Sequence, residues 1–194
     1  MTDSLCHTCQ APIAGYNSVQ VGSLEGGYRP LCSRCYNAEV AAQGEFDFEH
    51  VQFEPIELTD VEGVSHRFDF RLRLLGDERV SLEAFEIQDG APAGYQFQVL
   101  DEVKTDLFAV LARLVERMRR ALGLRHLETL DRFGWVIKDF VVRGRIDCDL
   151  DADDRLPLLV IDGREISWEQ FGRMLMGFEG WQFKLEIRDR SEEV

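Results

Sequence analysis

The stretch CHTCQAPIAGYNSVQVGSLEGGYRPLCSRC, residues 6–35, decides how the front of this chain is built. It holds two CxxC pairs, Cys6 with Cys9 and Cys32 with Cys35. Two thiolates at this spacing grip one ion from a single knuckle, and four of them complete a tetrahedral Zn²⁺ shell. The 22 residues between the pairs read as a hairpin, with NSVQVGS leading into a turn at Gly26 and Gly27 and YRPL returning to the second knuckle. Such a site is closed. No position remains for water or substrate, so the predicted Zn²⁺ is structural. His7 lies inside the first knuckle and is read as a non-ligand, because four sulfurs already satisfy the ion.

After the second pair, CSRCYNAEVAAQ carries helix-compatible residues from Ser33 to Gln43 and stops at Gly44. Cys32 and Cys35 therefore sit at a helix N-terminus, where the dipole favours thiolate. Knuckle, hairpin, then knuckle and helix is an order that resembles treble-clef fingers and zinc ribbons. Only Arg29 and Arg34 supply positive charge before residue 45. We read the module as a metal substitute for a core too small to fold alone, or as a protein-docking surface, in preference to a nucleic-acid reader.

Charge bounds the function. The 194 residues hold 22 basic and 36 acidic side chains, a net of −14, and no segment is basic. Nucleic-acid affinity draws heavily on phosphate neutralisation, so such a chain is a poor binder of duplexes. No apolar run is long enough to span a membrane, and Met1 to Leu5 lacks the charged start of a signal peptide. Five cysteines with four in metal spacing fit a reducing compartment, which predicts a cytoplasmic protein. The fifth, Cys148, is expected to point inward from a strand as an inert thiol.

Residues 45–126 predict a β meander and a long helix. GEFDFEHVQFEPIELTD reads as a linker and edge strand because of Pro55. HRFDFRLRLL then alternates Phe68, Phe70, Leu72 and Leu74 with Arg67, Asp69, Arg71 and Arg73, a half-buried antiparallel strand with a polar outer face. VSLEAFEI and YQFQVL follow, separated by a loop over QDGAPAG. Leu107, Val110, Leu111, Leu114, Val115, Met118 and Leu122 form one helical stripe, with Thr105 as the expected N-cap and Gly123 as the stop. The opposite face carries Arg113, Arg117, Arg119 and Arg120, joined by Arg125; a solvated face is preferred over a phosphate or acidic-partner site.

Residues 127–194 predict a smaller β-β-α-β unit, although 45–194 also reads as a single domain. HLETLDRFG is expected to be a loop and FVVRGRIDCDL a strand from Phe140. Asp162-Gly163 marks a tight hairpin. Ser167 with Gln170 forms a capping-box signature, and Ile166 with Phe171 a hydrophobic staple. Phe171, Met174, Leu175 and Phe178 are expected to be buried, WQFKLEI to form a last strand, and RDRSEEV to fray. Asp147, Asp149, Asp151 and Asp153 recur like calcium-loop ligands, but Ala152 and Leu158 occupy the positions that need Gly and Glu. Trp168, Phe178 and Trp181 are read as an aromatic core.

The start CxxC and the ending VRGRI, LVIDGREISWEQFGRML and FEGWQFKLEI together resemble a group of uncharacterised bacterial proteins that join an N-terminal zinc ribbon to a domain of unknown function. The resemblance implies the architecture and no activity. The expectation is thus an α+β protein: a four-cysteine zinc finger over 1–44, then antiparallel sheet packed on two amphipathic helices. Its expected role is a non-enzymatic adaptor or regulatory module with a protein partner, a basic one given the charge. The alternative is a metal-dependent hydrolase or nuclease using Asp89, Glu102 and Lys104, an acidic, acidic, lysine set of the kind that holds Mg²⁺ beside phosphate.

Overall fold

In a computed structural model, which describes residues 4–132, 134–149 and 156–192, the cysteine stretch folds around two small hairpins and a helix. Strands β1 (Ser4–Leu5) and β2 (Pro12–Ile13) pair across the first knuckle. Strands β3 (Ser18–Ser23) and β4 (Gly27–Cys32) form the second hairpin, and helix α1 (Ser33–Gln43) starts at once with Cys32 as its N-cap. The buried apolar cluster of this part, among the described residues, consists of Cys6, Ile13 and Leu31. That is too little apolar surface to hold three elements unaided. Arg29 adds a bidentate pair to Glu39 (2.9 and 2.7 Å), tying β4 to α1.

The body is a four-stranded antiparallel sheet in chain order, β5 (Ile56–Thr59), β6 (Ser65–Leu75), β7 (Arg79–Gln88) and β8 (Ala91–Glu102). Helix α2 (Leu107–Leu122) covers one face. Phe68, Leu72 and Leu74 of β6 and Val80, Leu82 and Ala84 of β7 meet Val110, Leu114, Met118 and Leu122, all buried. Full burial of one such side chain is worth roughly 1.5–3 kcal/mol, so this interface is the main stabilising core. Two local expectations are corrected. The β7–β8 connection is not a loop over QDGAPAG but a two-residue turn at Asp89 (φ 52°) and Gly90 (φ 78°), the left-handed pair that suits a tight hairpin. The α2 cap is Asp106, whose Oδ1 accepts from Phe108 N at 3.0 Å, while the Thr105 hydroxyl turns back to Asp101.

The opposite face of the sheet is polar, as its alternation requires, yet it is not solvated. Glu83 of β7 is completely buried there and takes Arg71 Nε at 2.7 Å, with Arg73 and Arg190 beside it. A buried carboxylate needs such partners to survive. Two segments cover this face. The Tyr16 hydroxyl donates to Asp69 Oδ2 (2.7 Å) and its ring lies 5.5 Å from Phe85, while the chain end arrives through Arg190. Residues 190–192 therefore dock where fraying was expected. Arg117, on the arginine face of α2, donates to the carbonyls of Gln98 (2.9 Å), Ser191 (3.0 Å) and Glu192.

Beyond residue 126 the chain builds a second, smaller core from Leu127, Ile161, Ile166 and Met174. Strands β9 (Leu127–Leu130) and β10 (Gly134–Ile137) make a hairpin where a loop was expected. The strand expected from Phe140 begins only at Arg145, because Asp139 (φ 54°) and Phe140 (φ 60°) sit in left-handed backbone that breaks it. Strands β11 (Arg145–Cys148), β12 (Pro157–Ile161) and β13 (Arg164–Ser167) form an antiparallel sheet in that order, with the expected Asp162-Gly163 turn. Helix α3 (Trp168–Leu175) carries the full capping box between Ser167 and Gln170, and Phe171 packs on the cluster that holds Ile166.

Several expectations fail in this part. Cys148 is exposed at the end of β11, not buried. Leu175 is exposed: it closes α3, whose buried side is taken by Met174 and Phe171, and a 3-10 turn over Met176–Phe178 follows. WQFKLEI forms no strand: alternation chooses a face but supplies no edge to pair with. Trp181 stacks on Phe140 at 5.5 Å and meets Phe178 at 5.9 Å, a surface cluster outside the core. Asp151 and Asp153 of the acidic repeat lie outside the described residues. The architecture is α+β, with three α-helices and antiparallel sheets among the described residues and the cysteine cluster ahead of the main sheet. No helix among them is long and apolar enough to cross a membrane.

Candidate metal centre and the joints around it

The first knuckle is shaped by a turn in which Gln10 N donates to Cys6 O at 2.9 Å, with Gln10 itself left-handed (φ 60°). The second is the start of α1. Together they bring the four Sγ atoms within 4.8 Å of one another, and Cys9 Sγ lies 3.9 Å from Cys32 Sγ. A tetrahedron with Zn–S bonds of about 2.3 Å has sulfur–sulfur edges of about 3.8 Å, so the cluster has the size for one such ion. Among the described residues, no other grouping of three or more Cys, His, Asp or Glu side chains offers a comparable cage.

The electrostatics of the four sulfurs point the same way. Burial works against a Cys6 thiolate, but the backbone N–H groups of Cys9, Cys32 and Thr8 outweigh it and bring this thiol down to about 6. Burial and the neighbouring sulfurs push Cys35 up, and burial raises Cys32. Four thiols this close do not all ionise unless a cation balances them, which is how metal binding and deprotonation become coupled. The arrangement can hold an ion, and it leaves no ligand position open for chemistry.

The alternative acidic site does not assemble. Asp89 occupies the turn before β8 and Glu102 the last position of that twelve-residue strand, with Lys104 just beyond. At about 3.3 Å per residue they stand roughly 35–40 Å apart, too far to share an ion. Two of the arginines on α2 are engaged within the fold. Arg113 pairs with Asp101, and Arg117 donates to main-chain carbonyls.

The joint between the main sheet and the last unit escaped the sequence reading. His66 places Nδ1 2.7 Å from Glu86 Oε1 and Nε2 3.0 Å from Asp60 Oδ2. Each ring nitrogen is thus held against a carboxylate oxygen. Asp60 also receives the N–H groups of Glu62 (2.8 Å) and Val64 (2.9 Å) and the guanidinium of Arg125. Burial opposes its charge, but His66, those N–H groups and Arg125 more than offset this and hold Asp60 below the usual carboxylate range. Arg125 reaches on to Asp162 O at 3.3 Å, and Asp162 Oδ2 accepts from His126 N and Leu127 N at 2.8 Å each. The network resembles a catalytic carboxylate–histidine pair only superficially. A general base needs a free ring nitrogen aimed at substrate, and both nitrogens of His66 are taken. Glycine is required at its edge: a Cβ on Gly94 (φ 64°) would lie 2.2 Å from Glu86 Oε2.

Three family models match the chain in series. The chain is similar to a Domain of unknown function (DUF7685) over residues 5–47, a second (DUF7686) over 49–123 and a third (DUF7713) over 126–192. Their boundaries fall just after α1 and at Gly123, which caps α2. No curated protein and no solved structure matches the chain significantly.

Proposed function

We propose that the protein is a zinc-stabilised interaction module without catalytic activity, acting in the reducing cytoplasm. Cys6, Cys9, Cys32 and Cys35 hold Zn²⁺ in a finger of zinc-ribbon or treble-clef type, and the ion replaces the core that Cys6, Ile13 and Leu31 alone do not supply. That module is occupied internally: Tyr16 and α1 cover the main sheet, so the partner surface lies elsewhere.

One observation carries the reading. From Trp181 to Ile187 the chain exposes four large apolar side chains, Trp181 at 66%, Phe183 at 89%, Leu185 at 73% and Ile187 at 72%. Contiguous apolar surface of this kind marks a site that another protein covers. The test is affinity capture from the native host with the wild-type chain and with Phe183→Asp/Leu185→Asp. A protein retained by the first and lost by the second supports the proposal; none retained by the wild type under any condition contradicts it.

A further inference from the structure

The segment that carries the proposed function is held, not loose. Over residues 181–189 it shows no helix, strand, turn or bend, and every residue is exposed. At one end Trp181 N donates to Phe178 O (2.9 Å) and the indole stacks on Phe140. At the other, Arg190 pairs with buried Glu83 and Arg117 takes the carbonyls of Ser191 and Glu192. Between these anchors, no backbone partner among the described residues meets 182–187. A chain anchored at both ends with its backbone groups unpaired between them leaves N–H and C=O groups available to a second strand, as an edge strand does. Its side chains alternate strictly: Trp181, Phe183, Leu185 and Ile187 against Gln182, Lys184, Glu186 and Arg188.

We infer that residues 183–187 pair, antiparallel and centred on Leu185, with the same segment of a second copy of this chain. The inference rests on the interaction-module reading and names its partner. The charges select both partner and register. Centred on Leu185, the pairing sets Phe183 opposite Ile187 on the apolar face and Lys184 opposite Glu186 twice on the polar face. Centred one residue earlier it would set Lys184 against Lys184, and one residue later Glu186 against Glu186. Directly opposed like charges destabilise a sheet and opposite charges favour it, so one register satisfies both faces. Within one chain Lys184 and Glu186 already lie 3.4 Å apart, but both are largely exposed and such a contact contributes little. The aromatic surface is also adequate. Phe183 carries roughly 150–250 Å² in each copy, Leu185 and Ile187 add to it, and Trp181 flanks the paired residues on the same face.

Sedimentation equilibrium tests this with the full chain and variants at exposed positions. The wild type should dimerise, and Leu185→Asp should abolish the dimer. Lys184→Glu and Glu186→Lys, each alone, oppose like charges twice and should raise the dimer Kd about fivefold or more. An equimolar mixture of those two variants restores both attractive pairs and should recover the dimer. A wild type that stays monomeric up to about 1 mM, where a binding free energy of only about −4 kcal/mol would register, overturns the inference. So does a dimer indifferent to these changes, or a mixture no tighter than its components. A native protein captured through Phe183 and Leu185 by a monomeric chain would overturn self-pairing and leave the interaction-module reading standing.

Discussion

Asn37, in the helix of the cysteine module, closes the hydrogen-bonding edge of β6 at Leu74. Strand β5 pairs with β6 only from Ser65 to Phe68, so the outer edge further along has no strand beside it among the described residues. Asn37 takes that place with one side chain: its Oδ1 accepts from Leu74 N at 2.8 Å and its Nδ2 donates to Leu72 O at 2.9 Å. The cysteine module is thereby fastened to the main sheet by an amide that imitates one rung of a ladder.

Asn37→Ala should therefore destabilise far more than its size suggests. It leaves a buried N–H and a buried C=O without partners, at about 1–3 kcal/mol each. Urea unfolding should show a loss of about 2–5 kcal/mol at unchanged slope. A loss below about 0.5 kcal/mol would mean that the edge is not closed this way.

The core ranks its own residues. Leu114 is fully buried between α2 and the sheet, and Leu175 is 44% exposed. Leu114→Ala should cost about 2–5 kcal/mol and Leu175→Ala about 0.5 kcal/mol or less, again by denaturant midpoint. Comparable losses would place Leu175 in a core after all.

Glu83 holds the polar face and the chain end together. Glu83→Gln leaves the half-buried Arg71 and Arg73 without their counter-charge and should cost about 3 kcal/mol. Hydrogen exchange over 190–192 should speed up in the same variant, because Arg190 loses its anchor; unchanged exchange there would contradict the docking.

Stability should fall in two steps on acidification. Burial and Arg34 lower the pKa of His50, whose Nδ1 faces the Asn37 amide at 2.9 Å. With the folded value below the unfolded one, the neutral ring stabilises above about pH 6.5 and that contribution is lost as pH falls through this range. Asp60 is also held low, so its contribution is complete above about pH 3.9 and is lost below it. Unfolding free energies measured from pH 8 to pH 3 should show the upper step vanish in His50→Gln and the lower step shrink in Asp60→Asn. Persistence of both steps in the variants would contradict the assignments.

How much of this was legible in sequence depended on whether a local rule decided it. The cysteine spacing, the alternation from Phe68 to Leu74, the stripe on α2 and the Ser167–Gln170 box each follow from chemistry within one element. His66 meets Glu86 only because register and a bulge bring them together, and Asn37 meets Leu74 only because β5 is short. Both need the sheet to be known first. The same limit explains the failures at Cys148 and Trp181–Ile187. A periodic pattern states which side chains share a face, and only the assembled edges state whether that face is covered.

The central claim is that four sulfurs hold one zinc ion in place of a core. Elemental analysis of the reduced, purified chain should find one zinc per molecule, released together with α1 helicity on chelation or in Cys35→Ser. A chain that carries no stoichiometric zinc and keeps its fold in the presence of chelator would contradict it.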